Sequence, residues 1–364
     1  MKKIHVLTTR TTHNSLAFNL PLRLHQKHLK AFGLDMELYF DIDNTFYECD
    51  AVFVSSKYFK AGFTNEQVFE HLSKARERVG MVLWFDTTDG TGATQFEVLP
   101  YVDAYYKNQV LKDRTQYLND YYGTRIFTDF YHNKYGICDQ DTDFKTVPPS
   151  PDDLHKIHVS WNSALGDYGT RATWFARLRK VYPVPMHYSV HFVSPHKSRT
   201  IPLSCRIGRE HSRQTIRYQR NRTVDLLKQQ FQISTDKVPK QTYYRELQNA
   251  RAGISPFGWG EIAYRDYEIM ISGSTLIKPD MSHLETWPSL YINNQTYVAH
   301  RWDMTDLVEK VNHTLSTASG REIASNAQDL YRKHLFGPEG RDAFCSRIAD
   351  FVQPQCRYSN ALSG

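Results

Sequence analysis

The chain has 364 residues, more than one typical hydrophobic core needs, so its length favours two domains. Its net charge of +6 is small for this size, and its five cysteines show no Cys-x-x-Cys spacing, which argues against a disulfide framework and a zinc site. No apolar run approaches the ~20 residues of a membrane helix and the N-terminus lacks the apolar core of a signal peptide, so we expect a cytoplasmic protein.

Strands alternate with helices through the first half of the chain. The apolar runs predict strands at residues 4–7, 36–40, 51–54, 82–85 and 157–162, and the helical patterns cover residues 15–31 and 64–79. This alternation is typical of a doubly wound α/β domain with a parallel sheet. Ligands of such domains bind at the carboxyl ends of the strands.

Three residues in loops after predicted strands are candidates for a catalytic base. Asp86 and Asp89 follow the strand at residues 82–85, and His13 follows the first strand. A general base must lie within hydrogen-bond reach of the hydroxyl that it deprotonates. Asp at the start of a turn also caps backbone N–H groups, and that structural role is the open alternative.

A tyrosine-rich segment at residues 99–137 precedes the predicted domain boundary. The simplest interpretation of these rings is ordinary packing in the core and on the surface. The alternative is that some of them line an acceptor groove, because sugars stack on aromatic faces. A polar stretch with several prolines at residues 182–198 is the candidate linker. We therefore predict domains at residues 1–190 and 200–340, and a C-terminal helix at 341–360 that crosses back.

The alternation begins again in the second half. Predicted strands cover residues 200–205, 235–238, 275–277 and 296–298, and predicted helices cover residues 212–231, 241–250, 305–315 and 323–336. The run of arginines at residues 206–222 recurs every three or four positions, which is typical of a solvated basic helix face. Arg209 and Arg213 differ because they directly follow a strand.

A glycine-rich turn in this half leads into a short helical pattern. The turn at residues 255–260 contains Gly258 and Gly260, and the helical pattern carries Glu261, Arg265 and Glu268 before Gly273 ends it. Free N–H groups and the macrodipole favour an anion at a helix N-terminus, and glycines let the backbone approach it. The stretch therefore predicts a site for a nucleotide phosphate.

This stretch resembles the donor-nucleotide segment of GT-B-type glycosyltransferases. Glu268 and Gly273 match a Glu and a Gly of that segment, and Arg265-Asp-Tyr-Glu268 looks like the Arg-x-x-Glu of exostosin-like members. The paired glutamates of the group have seven residues between them, whereas Glu261 and Glu268 have six. The resemblance implies two Rossmann-like domains that face each other across a cleft.

The resemblance also implies a reaction, the transfer of a sugar from a nucleotide-sugar donor to an acceptor hydroxyl. Glu268 would then bind the ribose, and Arg209, Arg213 and Arg265 the phosphates, together with the turn of Gly258, Gly260 and Glu261. Lys278 and His283 would contact the same donor. Helix dipoles and cationic side chains stabilise the leaving nucleotide in such enzymes, so no metal and no cofactor is expected.

The expected acceptor is a glycan or glycolipid of bacterial surface polysaccharide or lipopolysaccharide synthesis, with peripheral association at the inner face of the membrane. Two other classes stay open. An epimerase or phosphorylase of the same architecture would use the same donor segment, and a nucleic-acid-binding or nucleic-acid-modifying protein would use the arginine run. We do not expect nucleic acid as a partner, because interleaved exposed aromatic residues are missing from that run.

Overall fold

The structure of the protein is a computed structural model that describes residues 1–59, 62–140, 146–170, 172, 174 and 186–353. The predicted linker at 182–198 and the predicted terminal segment at 341–360 lie partly outside the described residues. Within them, two separate parallel sheets lie one after the other along the chain. The predicted α/β fold class with two parallel sheets is thus confirmed.

The first sheet fills the N-terminal half. Its strands are β1 (Lys2–Leu7), β2 (Leu34–Tyr39), β3 (Ala51–Ser55), β4 (Val82–Asp86), β5 (Ala104–Lys107) and, after the separate strand β6 (Gln109–Leu111), β7 (Ile157–Val159). They lie in the order β2-β1-β3-β4-β5-β7, and each pair is parallel. Every residue of β3 and β4 is buried, as expected for central strands covered on both faces.

The helices of this half are α1 (His13–Leu24), α2 (Gln26–Ala31), α3 (Asn65–Arg78) and α4 (Ile126–Tyr135), with 3-10 helices at Phe96–Tyr101, Arg114–Leu118, Tyr122–Thr124, Pro151–Lys156 and Ser163–Leu165. The single helix predicted at residues 15–31 is wrong. The backbone of His25 (φ −102°, ψ 9°) leaves the helical region, and the resulting bend lets Leu29 of α2 pack into the core.

The second sheet has four strands, β8 (Ile201–Ser204), β9 (Ala250–Ile254), β10 (Thr275–Pro279) and β12 (Val298–His300). Their order is β12-β10-β9-β8, again all parallel. The strand predicted at residues 235–238 is wrong, because those residues form no ladder. Residues 250–254 form β9 at the centre of the sheet, where no strand was expected.

The helices of this half are α5 (Gln214–Lys228), α6 (Lys240–Asn249), α7 (Tyr264–Ile271), α8 (Leu307–Ser316), α9 (Ser319–Phe336) and α10 (Pro338–Phe351). No helix in the described part of the chain is both long and apolar enough to span a membrane.

The two halves are joined by a small antiparallel ladder and by a common core. Strand β11 (Leu284–Thr286) pairs with β6 of the first half, with Leu284 opposite Leu111. One continuous cluster of buried apolar side chains contains Phe53 and Leu83 of the first sheet together with Ile254 and Leu276 of the second. The cleft that carries the candidate site lies where loops of both sheets meet.

Candidate functional site

The glycine-rich turn connects β9 to α7 and differs from the sequence-based prediction in one respect. The helix begins at Tyr264, so Glu261 lies in the turn and not in the helix, which corrects the predicted position. The turn is closed by a hydrogen bond from Gly258 N to Gly260 O at 3.0 Å. The carboxylate of Asp266 accepts from Ala263 N at the helix start, so a negative charge of the protein already occupies that end.

Lys278 lies beneath the turn and does not reach the cleft. Its ammonium and the Asp266 carboxylate have no exposed surface, and Nζ lies 3.2 Å from Asp266 Oδ2. Asp266 also accepts hydrogen bonds from Ser255 Oγ and Tyr291 OH. This buried network ties the turn to the helix and to β10.

Two arginines, Arg265 and Arg220, contact the backbone of the loop that follows β8, and Arg220 also faces Gly258. Arg265 Nη2 donates to Arg206 O and Arg220 Nη1 donates to Gly208 O, each at 3.3 Å. A Cβ atom at Gly258 would lie 3.7 Å from Arg220 Nη2, so that guanidinium faces the turn. Burial, and secondly the charge of Arg265, lower the pKa of Arg220.

This arginine cluster has an excess of positive charge. Arg206 is neutralised by Glu246, with Arg206 Nη2 2.6 Å from Glu246 Oε2. Arg220 forms no ion pair among the described residues, and its Nε is buried without a hydrogen-bond partner there. Guanidinium groups grip phosphate in a bidentate manner. The cluster can therefore take an anion beside the turn.

Glu268 lies on α7 next to this cluster and is half-buried. Tyr244 OH donates to Glu268 Oε1 at 3.3 Å. Burial raises the pKa of Glu268, while Lys240 and Arg265 act in the opposite direction. A carboxylate three residues from Arg265 is placed to accept from hydroxyls of a ligand whose phosphates contact the arginines.

Arg209 and Arg213 point in different directions. Arg209 pairs with Asp225 at 3.0 Å and donates to Asn221 at 2.9 Å, so it lies along the surface of α5. Arg213 is buried with 1% of its surface exposed, and its Nη1 donates to Gly123 O of the N-terminal half at 2.8 Å. The structure therefore does not bring the two arginines to one point.

Glu261 connects the turn to the N-terminal half. Its carboxylate accepts from Thr91 N at 3.0 Å and from Thr91 Oγ1 at 2.6 Å. Burial would raise its pKa, but contacts with His283 and Thr91 lower it to about 2. His283 Nε2 lies 3.9 Å from Glu261 Oε1, so His283 belongs to this junction.

The three base candidates have very different surroundings. Asp86 has no exposed surface and its oxygens accept from Lys107, Tyr105 and Thr88. Asp89 and His13 are exposed. Asn14, next to His13, donates to Asp89 Oδ1 at 3.1 Å, and Tyr264 of the other half donates to Asn14. Of the three, Asp89 lines the cleft.

That cleft is narrow and offers about 30 Å³ of space to the centre of a water-sized sphere. It lies at the carboxyl ends of the N-terminal strands, the edge of a parallel sheet where ligands bind, and its lining follows β1, β4, β5 and β7. Its lining comes from both halves of the chain and includes Asn14, Thr87, Asp89, Asn108, Asn162 and Tyr264.

Arg125 and Trp259 are site residues that the sequence did not reveal. Arg125 is 5% exposed and lies beside the turn, whereas Trp259 within the turn is 41% exposed. Arg125 carries no motif, and its neighbours in the sequence give no signal for it. A tryptophan between two glycines is the one hint that the sequence offers for Trp259. Among the described residues no group of three or more His, Cys, Asp or Glu side chains is placed to hold a metal ion.

No protein-family model matches the chain, and no curated protein matches it in sequence. Several solved structures align over most of its length. The lipopolysaccharide outer core galactosyltransferase WaaB, in its apo form, has a TM-score of 0.47 at 10% identity, with 97% of this chain and 100% of that chain covered. The T4 phage beta-glucosyltransferase has a TM-score of 0.42 at 13% identity, with 96% and 99% covered.

An alpha-glucosyltransferase in complex with UDP and a 13-mer DNA has a TM-score of 0.43 at 10% identity, with 95% of this chain and 99% of that chain covered. Similarity of this degree assigns neither a family nor a reaction to the chain. The function therefore has to be argued from the arginine cluster, the turn and the cleft.

Proposed function

We propose that the protein is a glycosyltransferase that moves a sugar from a nucleotide-sugar donor to a hydroxyl group of an acceptor. The observation that carries the proposal is the pair of Arg220 and Arg265, which both contact the loop that follows β8, with Arg220 facing Gly258 of the turn. A diphosphate is the ligand that such a cluster fits best, because its charge is compact and each guanidinium can make two bonds to it.

In this proposal the donor lies along the second sheet. Its phosphates contact Arg220 and Arg265, and Glu268 accepts from the ribose hydroxyls. When the bond to the sugar breaks, negative charge develops on the leaving nucleotide diphosphate. Fixed guanidinium groups stabilise that charge without reorganisation. The chemistry then requires no metal and no cofactor.

The acceptor enters the cleft beside Asn14 and Asp89. Asp89 is the preferred base, because it is exposed in the cleft, whereas Asp86 is buried with its oxygens occupied. His13 is the second choice for the base. We propose a glycan or glycolipid of bacterial surface polysaccharide or lipopolysaccharide synthesis as the acceptor, bound by a cytoplasmic protein at the inner face of the membrane.

The donor site is tested by thermal unfolding in the presence of UDP, GDP, ADP, CMP and TDP. A ligand at ~100 times its Kd stabilises the folded protein by about 2.7 kcal/mol. We expect one nucleotide to raise the unfolding midpoint, and Arg265→Gln to abolish that rise. Arg222→Gln is the matched control, because Arg222 is exposed on α5.

If no nucleotide raises the midpoint, the donor site and the glycosyltransferase proposal are both refuted. If Arg222→Gln abolishes the rise as fully as Arg265→Gln, binding is nonspecific.

The acceptor is tested once a stabilising nucleotide is known. Transfer of a hexose from the sugar conjugates of that nucleotide is assayed on lipopolysaccharide fragments and on DNA. Transfer to DNA without transfer to lipopolysaccharide fragments would show that the acceptor is DNA and not a glycan or glycolipid.

A further inference from the structure

Three buried polar atoms of the cleft have no hydrogen-bond partner among the described residues. They are Thr87 Oγ1, Asn108 Oδ1 and Gln109 Oε1, and all three residues line the cleft. Gln109 is 2% exposed and Thr87 is 5% exposed. A buried polar atom without a partner is unfavourable, and native proteins contain few of them. Three such atoms at one place therefore indicate a ligand that binds there.

The topology of the first sheet brings these three residues together. Strands β4 and β5 are parallel neighbours, and their last residues, Asp86 and Lys107, lie opposite each other. Thr87 and Asn108 directly follow these paired ends, and Gln109 is the first residue of β6. The backbone of β6 is held in turn by its ladder with β11. The three side chains thus start from backbone that the two ladders fix.

Two other carboxamides of the cleft are already engaged by the protein. Asn14 Nδ2 donates to Asp89 Oδ1 at 3.1 Å. Asn162 Nδ2 donates to a backbone carbonyl at 2.9 Å, and its Oδ1 accepts from a backbone N–H at 2.9 Å. The side chains of Asn108 and Gln109 form no such bonds within the described part of the chain. Their carboxamides are therefore the ones that can bind a ligand.

The cleft carries little charge. Of the described residues that line it, Asp89 alone is charged, and neither a lysine nor an arginine is among them. A phosphate or a carboxylate in the cleft would therefore meet a like charge without a cation to offset it. A hydroxyl group both donates and accepts, and a carboxamide offers the matching acceptor and donors. The lining therefore fits an uncharged group that carries several hydroxyls.

The aromatic rings of the cleft leave one face for such a ligand. Phe18 and Trp161 stack on each other with their ring centroids 4.6 Å apart, and both are buried in the core. Tyr264, by contrast, is 38% exposed. The narrow space beside the carboxamides admits hydroxyl groups, and the ring that carries them can lie outside it, against Tyr264.

We propose that Asn108 and Gln109 determine the specificity for the acceptor, by binding hydroxyl groups of an uncharged sugar residue at its end. The inference rests on the proposed function, because it names the group that the acceptor presents to Asp89. Sugars that carry a phosphate or a carboxylate at this position are rejected by the charge of Asp89. Nucleic acid is disfavoured for the same reason, because each of its nucleotides carries a phosphate.

The first test separates a binding role of Gln109 from a structural one. We expect Gln109→Met to leave the unfolding midpoint of the ligand-free protein unchanged or higher, because it removes a buried polar atom without a partner. Gln328→Met is the matched contrast. Gln328 is also 2% exposed, but its Nε2 donates to three backbone carbonyls at 2.8 to 3.1 Å, so that variant should unfold at a lower temperature. An equal drop for Gln109→Met would overturn the proposal.

The second test measures the binding of single sugars by saturation-transfer NMR. The probes are the methyl glycosides of glucose, galactose, mannose and N-acetylglucosamine, with glucuronate, glucose 6-phosphate and deoxycytidine for comparison. We expect at least one glycoside to bind about 10-fold more tightly than each comparison compound, and Gln109→Met to weaken its binding about 10-fold. Gln116→Met is the control, because Gln116 Oε1 is also buried without a partner but lies outside the cleft.

Three results would contradict the proposal. They are the absence of binding by every glycoside, equally tight binding of a charged sugar or of deoxycytidine, and an equal effect of Gln116→Met and Gln109→Met. The first would mean that the carboxamides contact water only. A failure of the proposed function alone is distinguishable, because then no nucleotide raises the unfolding midpoint although a glycoside binds and Gln109→Met weakens that binding.

Discussion

Asp86 and Lys107 form an ion pair that has no exposed surface. Lys107 Nζ lies 2.8 Å from Asp86 Oδ2 and also donates to Ala93 O, so the pair fixes the loop that follows β4. Burial would raise the pKa of Asp86, but the charge and hydrogen bond of Lys107 lower it overall. Lys107→Met would leave this carboxylate buried without its partner, which costs about 3–5 kcal/mol. Urea unfolding at pH 7 should report a loss of this size.

Lys112→Met is the control for this substitution, because Lys112 is exposed. Its effect should stay within about 0.5 kcal/mol. An equally small effect of Lys107→Met would mean that Asp86 takes up a proton or reaches water easily, and Asp86 would then return as a candidate base.

The lowered pKa of Glu261 predicts how the stability of the protein depends on pH. Its pKa in the folded protein is about 2, compared with an ordinary value of 4.5. A lowered pKa stabilises the fold above pH 4.5, here by about 3 kcal/mol, and that contribution is lost as the pH falls from 4.5 towards 2. The unfolding free energy of Glu261→Gln should therefore change less steeply over this range than that of the native protein, as measured by denaturant titration at several pH values.

Glu48→Gln, at an exposed position, should keep the native slope. Parallel curves for Glu261→Gln and the native protein would show that the junction of Glu261 with Thr91 and His283 contributes no acid-sensitive stability.

The sequence predicts the type of many site residues but not the direction of their side chains. Arg265 and Glu268 lie together because the helix fixes their spacing. Lys278 was also expected at the donor. It lies instead in strand β10, whose residues are all buried, and Asp266 neutralises its charge there. Arg125 could not be predicted, because its place depends on contacts with Gly90 and Gly92 that only the folded chain creates.

The glycine turn is the element whose packing can be tested most directly. A Cβ atom at Gly260 would lie 2.3 Å from Gly90 N, which is backbone of the other half and has little room to shift. Gly260→Ala should therefore destabilise the protein by about 1–3 kcal/mol, the usual cost of overpacking. Gly258→Ala is the matched control in the same turn, because its Cβ would meet only Arg220 Nη2 at 3.7 Å. Denaturant unfolding measures the free energy of unfolding of both variants.

Equal stabilities of the two variants would indicate that the loops of Gly90 and Gly260 separate easily. Nucleotide affinity is a second measurement that distinguishes the two variants. Gly258→Ala should weaken nucleotide binding, whereas Gly260→Ala should act chiefly on stability. A ligand phosphate that approaches the backbone at Gly258 leaves no room for a methyl group.

Elements with a strong local pattern were predictable, and elements defined by their partners were not. The alternation of strands and helices identifies β1, β3, β4, β8 and β10 within a few residues. Strand β9 contains Arg251 and Gly253, which have little intrinsic strand preference, and it forms because β8 and β10 pair with it on both sides. Residues 235–238 lack such a partner and stay irregular.

At the scale of the whole molecule, the sequence predicts two α/β halves but not how tightly they are joined. The pairing of Glu285 with Val110 connects positions that are distant in the chain, and no local pattern announces it. Further bonds cross between the halves, including Tyr131 OH to Trp302 O and Tyr331 OH to Ala164 O, both at 2.7 Å. The halves therefore share a core as well as a cleft.

This shared core predicts that the protein unfolds in one transition, although chains with two domains often unfold in two. Leu83 in the first sheet and Leu276 in the second are both 1% exposed and belong to the same apolar cluster. Each Leu→Ala substitution should cost about 2–5 kcal/mol. Because the cluster is continuous, either substitution should shift the whole calorimetric transition to lower temperature, with equal calorimetric and van't Hoff enthalpies. A variant that splits the transition, so that only one part moves, would show that the halves fold independently and that the ladder of β6 and β11 joins two separate cores.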